Sequence, residues 1–301
     1  MTSAQNGSPT RALVLGGGGA VGIAWQTGLL SGLRDAGVDF ASADTVVGTS
    51  AGALVGALLS GGREVTDALA SLAALKEIID LDSLAAGDQA FLEIMRQARP
   101  DADLQHALRA IGRAANEADT FNEEVYLNLF NTLDGTAWPS NYRCTAIDTE
   151  SGDLVVWDQG SGVPLVHAVA ASCAIPSLFP TVTINGRRYM DGGLFSTLNT
   201  TSAPQTDVLV VLSCHPLESK GTGGGGSLAT SVAPNAELAP LRRSRRLMAL
   251  EPDFSHIGEP VNMMDPNVVI EAFQIGRRQS ADAVAPILAV WKHEGERRET
   301  K

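Results

Sequence analysis

Apolar runs and helix-spaced segments alternate along the first sixty residues. Two short, mostly apolar runs of the kind found in buried strands are each followed by a segment with apolar residues at helical spacing. In chain order these segments are Ala12–Leu15, Ala20–Ala36, Thr45–Val47 and Ser50–Leu59. Gly37 would end the first helix, and Gly61 with Gly62 the second. The strand–helix–strand–helix order predicts an α/β fold with a parallel sheet covered by helices.

The stretch from about residue 63 to residue 135 has a different character. It is rich in Ala, Leu, Glu and Asp, it has few β-branched residues, and its apolar residues recur at helical spacing. We interpret it as a helical insertion with breaks near Gly87, Pro100 and Gly135. Such an insertion can form one wall of a cleft or a lid.

Strand patterns return after the insertion, together with two hairpin signals. The second hairpin turns at Asn185-Gly186, which is the strongest short-range turn signal. In chain order we predict strands at Tyr142–Ile147 and Leu154–Trp157, a helix from Pro164 to about Cys173, a hairpin over residues 181–190, a strand at Asp207–Ser213, and helices at Glu237–Leu250 and Pro266–Trp291.

The chain of 301 residues, 44% of them hydrophobic, is long enough for one large domain with a substantial core. We predict a single domain over residues 11–295, preceded by a flexible tail over residues 1–10 and followed by frayed residues 296–301. A glycine-rich stretch at about residues 216–235 is predicted to be a mobile loop. Neither a signal peptide nor an apolar stretch of membrane-spanning length is evident, so we expect a cytoplasmic protein.

Charge and cysteine content narrow the function classes. The chain has 22 Lys and Arg against 34 Asp and Glu, a formal net charge of -12, which argues against nucleic-acid binding. The basic cluster Arg242–Arg246 either touches phosphate head groups in a transient membrane contact or forms a solvated helix face. Cys144, Cys173 and Cys214 do not make a disulfide framework, and no spacing of Cys or His suggests a metal site.

Gly48-Thr49-Ser50-Ala51-Gly52 is a G-x-S-x-G pattern at a predicted strand-to-helix junction. A serine hydroxyl attacks a substrate only when a base removes its proton and when it projects where substrate can reach it. A tight turn between a strand and a helix exposes a serine in this way, and small flanking residues let the two elements approach closely. An ordinary turn is the alternative, but this context favours a nucleophilic Ser50 with Gly48 and Gly52 as elbow glycines.

A run of four glycines begins at Gly16, after the first predicted strand. With Gly22 it contains a G-x-G-x-x-G pattern, which is typical of dinucleotide-binding sites. Such a site needs an acidic residue at the end of the second strand, where this chain has the G-x-S-x-G pattern instead. We therefore prefer an oxyanion hole, in which backbone N–H groups of Gly17, Gly18 and Gly19 point at a tetrahedral oxygen.

Asp191 follows the second predicted hairpin and precedes Gly192 and Gly193. A carboxylate with an ordinary pKa of about 3.9 is a weak base for a serine, but burial without a cation raises the pKa and improves the match. The two glycines leave room for Asp191 to approach the serine directly. An aspartate that only caps a turn is the alternative.

A histidine is the other candidate base. The five histidines are His106, His167, His215, His256 and His293. His215 or His256 would complete the serine–acid–histidine order of α/β-hydrolases. The best placed is His215, which precedes a proline at a predicted strand end.

The glycine run, the G-x-S-x-G elbow and the later Asp-Gly-Gly, in this order and context, resemble the motifs of the patatin-like phospholipase family. The resemblance covers about Ala12 to Cys214. It implies a patatin-like three-layer α/β/α fold with a mainly parallel central sheet and a helical insertion. It also implies a serine lipid acyl hydrolase of the phospholipase A or esterase type, which acts through an acyl-enzyme. The catalytic pair would be Ser50 and Asp191, without a catalytic histidine, calcium or another cofactor, and the partner would be a lipid or other acyl ester.

One position departs from the family pattern. The family's glycine loop usually carries Arg or Lys just before its last glycine, and this chain has Val21 there. Arg34 and Arg188 are candidates to replace the missing cation. Two alternatives stay open: a histidine-dependent esterase or acyltransferase, and, because of Val21, a catalytically weak lipid-binding protein on the same scaffold.

Overall fold

The computed structural model describes residues 9–79, 81–98, 103–218, 234–258 and 261–291. Within them the helices are α1 (Gly19–Asp35), α2 (Ala51–Ser60), α3 (Ala68–Ile78), α4 (Leu81–Ala98), α5 (Leu104–Glu117), α6 (Glu123–Leu127), α7 (Leu165–Ser172), α8 (Pro234–Leu241) and α9 (Val269–Trp291). The strands are β1 (Arg11–Leu15), β2 (Thr45–Gly48), β3 (Tyr142–Asp148), β4 (Leu154–Trp157), β5 (Val182–Ile184), β6 (Arg187–Asp191), β7 (Val208–Leu212) and β8 (Arg246–Leu250). Most of the predicted tail and of the predicted mobile loop, the frayed end, Pro100 and His293 lie outside the described residues.

The eight strands form one sheet with a parallel centre. Its order is β5-β6-β3-β2-β1-β7-β8, and β4 pairs with β3 beside this path. The pairs that link β3, β2, β1, β7 and β8 are parallel, whereas β4, β5 and β6 pair antiparallel. Strands β2 and β7 are buried at every residue, as expected for parallel strands that are covered on both faces. The predicted α/β fold with a mainly parallel central sheet flanked by helices is confirmed.

The two faces of the sheet bury alternate side chains of the same strands. Leu13 of β1 belongs to the larger core, which α1, α2 and α9 cover. Its neighbour Val14 belongs to a second, smaller core with Leu198 and with Leu238 of α8. Helices α1 and α9 approach very closely, since a Cβ on Gly28 would lie 2.1 Å from the carbonyl oxygen of Phe273. Because the central strands are parallel, their carboxyl ends lie at the same edge of the sheet. Helices cover both faces beside this edge.

The predicted helix Glu237–Leu250 is wrong in its second half. Helix α8 ends at Leu241, a turn follows, and β8 then pairs in parallel with β7 along its whole length. The residues of β8 are good helix formers, but pairing with the open edge of β7 outweighs local propensity. The basic cluster Arg242–Arg246 consequently lies in this turn and at the start of β8 rather than on a helix face.

The predicted break at Gly87 is also wrong. Helix α4 runs through this position, where a Cβ would lie 3.2 Å from two side-chain carbons of Leu178. The glycine therefore permits close packing instead of ending the helix. Near Gly135 the helical stretch does end, and this glycine has a φ of 72°.

The predicted insertion is helical throughout its described elements, which are α3 to α6 and short 3-10 turns. Helices α4 and α5 pack against each other, and a Cβ on Gly112 of α5 would lie 2.1 Å from the Thr149 carbonyl oxygen, at the end of β3.

Across the described part of the chain, no helix has both the length and the apolar character that a membrane crossing requires.

Candidate active site

Ser50 lies at a sharp turn between β2 and α2, with backbone angles of φ 51° and ψ -119°. A positive φ is strained for serine, and it persists only where the surrounding packing imposes it. A Cβ on Gly52 would lie 2.1 Å from the Leu15 carbonyl oxygen, and one on Gly48 would lie 2.5 Å from the Gly52 carbonyl oxygen. Both glycines are therefore needed, and the segment has the strand–turn–helix geometry of a nucleophile elbow.

The end of α7 holds the backbone of Ser50. The Ser50 N–H donates to Ser172 Oγ at 2.9 Å, and the Cys173 thiol donates to the Ser50 carbonyl oxygen at 3.1 Å. Burial raises the pKa of Cys173 well above its ordinary value. The thiol is therefore protonated at neutral pH and can serve as this donor.

Strand β3 brings Asp191 to Ser50. Strand β2 pairs with the first part of β3, up to Gly48 opposite Cys144, and β6 pairs with the later part, with Asp191 opposite Ala146. Cys144 and Ala146 are about 7 Å apart along the strand. The end of β2 and the end of β6 therefore lie close together beside β3. Ser50 Oγ donates a hydrogen bond to Asp191 Oδ2 at 2.7 Å, although 141 positions separate the two residues.

The carboxyl group of Asp191 is fully buried, with 0% of the residue exposed. This burial raises its pKa from 3.8 to about 7, against the hydrogen bonds from Ser50 Oγ and from the Gly193 N–H, which lower it. The Gly193 N–H donates to Asp191 Oδ1 at 2.7 Å and so fixes the carboxyl plane. A base with a pKa near the operating pH is well matched to proton transfer.

The glycine run lies beside Ser50, but its three candidate amides differ. The Gly17 N–H donates to the Thr197 carbonyl oxygen at 2.8 Å, so it is already engaged. The N–H groups of Gly18 and Gly19 have no acceptor among the described residues. The N–H groups that remain available for the candidate oxyanion hole are those of Gly18 and Gly19.

The remaining motif glycines permit close packing around these groups. A Cβ on Gly22 would lie 2.9 Å from the Cys214 sulfur, and one on Gly192 would lie 2.6 Å from the Thr145 carbonyl oxygen. These contacts place α1 against the residues that follow β7, and the turn after Asp191 against β3.

The histidines are less well placed than Asp191. His215 lies at the edge of the same cleft, but the hydrogen bond of the Ser50 hydroxyl goes to Asp191. Burial lowers the pKa of His215 to about 4, so its imidazole is neutral at neutral pH. His256 is exposed, in a turn beside Asp253.

Ser50 borders two adjoining cavities. The larger has a volume of about 190 Å³ and is also lined by Gly17, Gly18, Gly19 and Asp191. The smaller, of about 50 Å³, is lined almost entirely by apolar and aromatic side chains. The predicted insertion contributes walls to both: α4 lines the larger cavity and α3 the smaller.

The sequence did not reveal how the three motifs are held together. Asn199 is fully buried, and its Nδ2 donates to Thr49 Oγ1 and to the Gly192 carbonyl oxygen, both at 3.1 Å. The segment formed by residues 196–200 thus contacts the elbow, the turn after Asp191 and, through the Thr197 carbonyl oxygen, the glycine loop. Asn199 has a φ of 51°, a conformation that asparagine adopts more readily than most residues.

Glu237 of α8 fixes the 196–200 segment from outside. Its carboxylate accepts hydrogen bonds from the Ser196 hydroxyl and from the N–H and hydroxyl groups of Thr200. Glu237 therefore supports the elbow, the Asp191 turn and the glycine loop indirectly.

The cation candidates do not reach the cleft. Val21 is fully buried in α1. Arg34 pairs with Glu64 at 2.6 Å on the surface, and Arg188 donates to the Asn116 carbonyl oxygen at 3.3 Å. The prediction that Arg34 or Arg188 replaces the loop cation is therefore not supported by their positions.

A family model described as patatin-like phospholipase matches residues 13–204, more than half of the chain. The chain belongs to the patatin-like phospholipase family. Uncharacterized NTE family proteins of Mycobacterium tuberculosis and Mycobacterium bovis are 28% identical to it over 195 residues, which are 64% of this chain and 44% of each relative. The chain thus spans less than half the length of these curated relatives.

A solved structure shares this fold. VipD from Legionella pneumophila has a TM-score of 0.50 at 14% identity, over 93% of this chain and 67% of VipD. The type III effector protein ExoU has a TM-score of 0.41 at 17% identity, over 92% of this chain and 53% of ExoU. The resemblance of the motifs to this family is confirmed by the family match.

Removal of the Glu237 carboxylate tests the support given by the 196–200 segment. We expect Glu237→Ala to speed amide hydrogen exchange both in this segment and around Gly17, because the Gly17 N–H is bound to Thr197. Hydrogen exchange read by mass spectrometry measures both peptides. Asn235→Ala, on the same helix, is the matched control, since the Asn235 side chain bonds to Glu218 instead. Faster exchange confined to residues 196–200 would contradict the expectation.

Burial of Asp191 predicts a pH-dependent cost in stability. Its folded-state pKa of about 7 exceeds the ordinary 3.8, so Asp191 loses its proton at a lower pH in the unfolded chain than in the folded one. Wild type therefore loses stability as the pH rises from 3.8 to about 7. An amide cannot ionise, so we expect Asp191→Asn to raise the Tm relative to wild type more at a pH of about 8 than at about 5. Thermal melts of both proteins measure this difference. The exposed Asp119→Asn is the control, and an equal difference at both pH values would refute the assignment.

Proposed function

We propose that this protein is a serine hydrolase of lipid acyl esters, with Ser50 as nucleophile and Asp191 as general base. The observation that carries the proposal is the 2.7 Å hydrogen bond from Ser50 Oγ to the buried Asp191 carboxyl. Membership of the patatin-like phospholipase family supports a lipid ester as substrate. The proposed reaction needs no metal ion.

In the proposed first step, Asp191 Oδ2 accepts the Ser50 proton while Ser50 Oγ attacks the ester carbonyl carbon. The negative charge that develops on the carbonyl oxygen is stabilised by the N–H groups of Gly18 and Gly19, with that of Ala51 at the start of α2 beside them. Collapse of the tetrahedral intermediate expels the alcohol, which takes the proton from Asp191, and leaves an acyl-enzyme on Ser50.

In the second step, water loses a proton to Asp191 and attacks the acyl carbonyl carbon. The tetrahedral intermediate then expels Ser50 Oγ, which regains a proton from Asp191, and the fatty acid leaves. The Gly193 N–H keeps the carboxyl in one orientation throughout. Its hydrogen bond and that of Ser50 together stabilise the ionised form that burial disfavours.

Hydrolysis of p-nitrophenyl esters with a short and a long acyl chain, in EDTA, tests the proposal. We expect wild type to be active and Ser50→Ala and Asp191→Asn to lose at least about a hundredfold in kcat, since each removes a participant in proton transfer or bond formation. His215→Gln should lose much less than Asp191→Asn. Thermal melts verify that all variants are folded.

The other outcomes are equally decisive. Activity that survives Asp191→Asn but not His215→Gln would favour a histidine-dependent esterase or acyltransferase. Lipid binding that survives Ser50→Ala, with no turnover by wild type, would favour a lipid-binding protein on this scaffold. Either result would contradict the serine–aspartate mechanism.

A further inference from the structure

Both cavities beside Ser50 are largely apolar, but the larger one also carries carboxyl, amide and imidazole side chains, and this difference is the basis for assigning the halves of an ester. The smaller cavity is walled by hydrocarbon and by the stacked rings of Tyr126 and Phe179, with centroids 5.1 Å apart. Of the two halves of an ester, the acyl chain is the one suited to this lining, because its burial needs no polar partner. The alcohol half of the ester then lies in the larger cavity. This assignment rests on the proposed function.

The polar residues that line the larger cavity and whose side chains the proposed mechanism does not use are Asp88 of α4, Asn262, His215 and Thr197. Asn262 Nδ2 donates to Asp88 Oδ2 at 3.1 Å, so the contact joins the helical insertion to the segment before α9 across the cavity. Asp88 Oδ1 has no donor within the described ranges. A carboxylate oxygen that has no donor from these residues, in the same cavity as an amide and a neutral imidazole, can accept hydrogen bonds from hydroxyl groups.

The charges around this cavity disfavour an anionic ligand. Among the described residues that line it, the ionisable acids are Asp88 and Asp191, and there is no Lys or Arg. The loop position that carries a cation in the family pattern holds the buried Val21. The formal net charge of -12 adds a repulsive field. A phosphate group placed there would meet one or two carboxylates and no compensating cation, which is costly at short range.

We propose that the alcohol half of the substrate is uncharged and carries hydroxyl groups, as in a monoacylglycerol, and that Asp88 excludes esters whose alcohol half bears an anionic phosphate. Asp88 accepts a hydroxyl hydrogen bond through Oδ1, and Asn262 holds the carboxylate in place. The substrate class is thus set by the insertion, across the cleft from the elbow.

Three esters with the same hexanoyl chain test this proposal: 1-hexanoylglycerol, the corresponding lysophosphatidate and the corresponding lysophosphatidylcholine. We expect wild type to prefer hexanoylglycerol over the lysophosphatidate by at least about tenfold in kcat/KM. Asp88→Lys should reverse this preference, because it should raise lysophosphatidate hydrolysis about tenfold or more. Asp88→Asn should weaken the preference without reversing it. Glu77→Lys makes the same change of charge on the exposed end of α3 and should alter neither rate.

Several results would overturn the proposal. Equal or faster hydrolysis of the lysophosphatidate by wild type would do so, as would a preference for lysophosphatidylcholine, which would indicate a cationic head group beside Asp88. Cleavage of p-nitrophenyl hexanoate with none of the three lipids hydrolysed would overturn it and leave the proposed function standing. If wild type does not cleave p-nitrophenyl hexanoate either, the proposed function fails and this inference fails with it.

Discussion

The hydrogen bond between Ser50 and the buried Asp191 is the interaction on which the rest of the site depends. A carboxyl group without a neighbouring cation is unfavourable in the interior of a protein when it is ionised. It is kept there by two hydrogen bonds, from the Ser50 hydroxyl and the Gly193 N–H, and by its place at the end of β6. The same burial raises its pKa to about 7 and makes it a better base for a serine. Burial therefore costs stability at the residue that we propose as the base.

The sheet provides the precision that this bond requires. Strands β2 and β6 both pair with β3, and their ends meet two residues apart on that strand. The 196–200 segment then joins the elbow, the Asp191 turn and the glycine loop through Asn199 and Thr197, and Glu237 anchors the segment to α8. The proposed nucleophile therefore lies on rigid elements and is supported by a hydrogen-bonded segment, an arrangement that preserves its geometry.

Sequence alone could locate Ser50, Asp191 and the glycine loop because each needs glycines at fixed neighbouring positions. The elbow requires Gly48 and Gly52 for steric reasons that are local in sequence, and the strand and helix around it follow from short-range periodicity. Asn199 and Asp88 could not be found in this way, because their partners lie far along the chain: Thr49 is 150 positions from Asn199, and Asn262 is 174 from Asp88. Strand β8 was missed for a similar reason, since pairing with β7 decides its conformation against its helix-forming composition.

The most direct test of the account is the pH dependence of the rate at which a fluorophosphonate labels Ser50, followed by mass spectrometry to locate the label. If the buried Asp191 is the base, the rate rises with pH as its proton is lost, with a midpoint near the pKa of about 7, and Asp191→Asn abolishes this rise and most of the labelling. A rate independent of pH across this range, a rise that persists in Asp191→Asn, or a label on another serine would contradict the account.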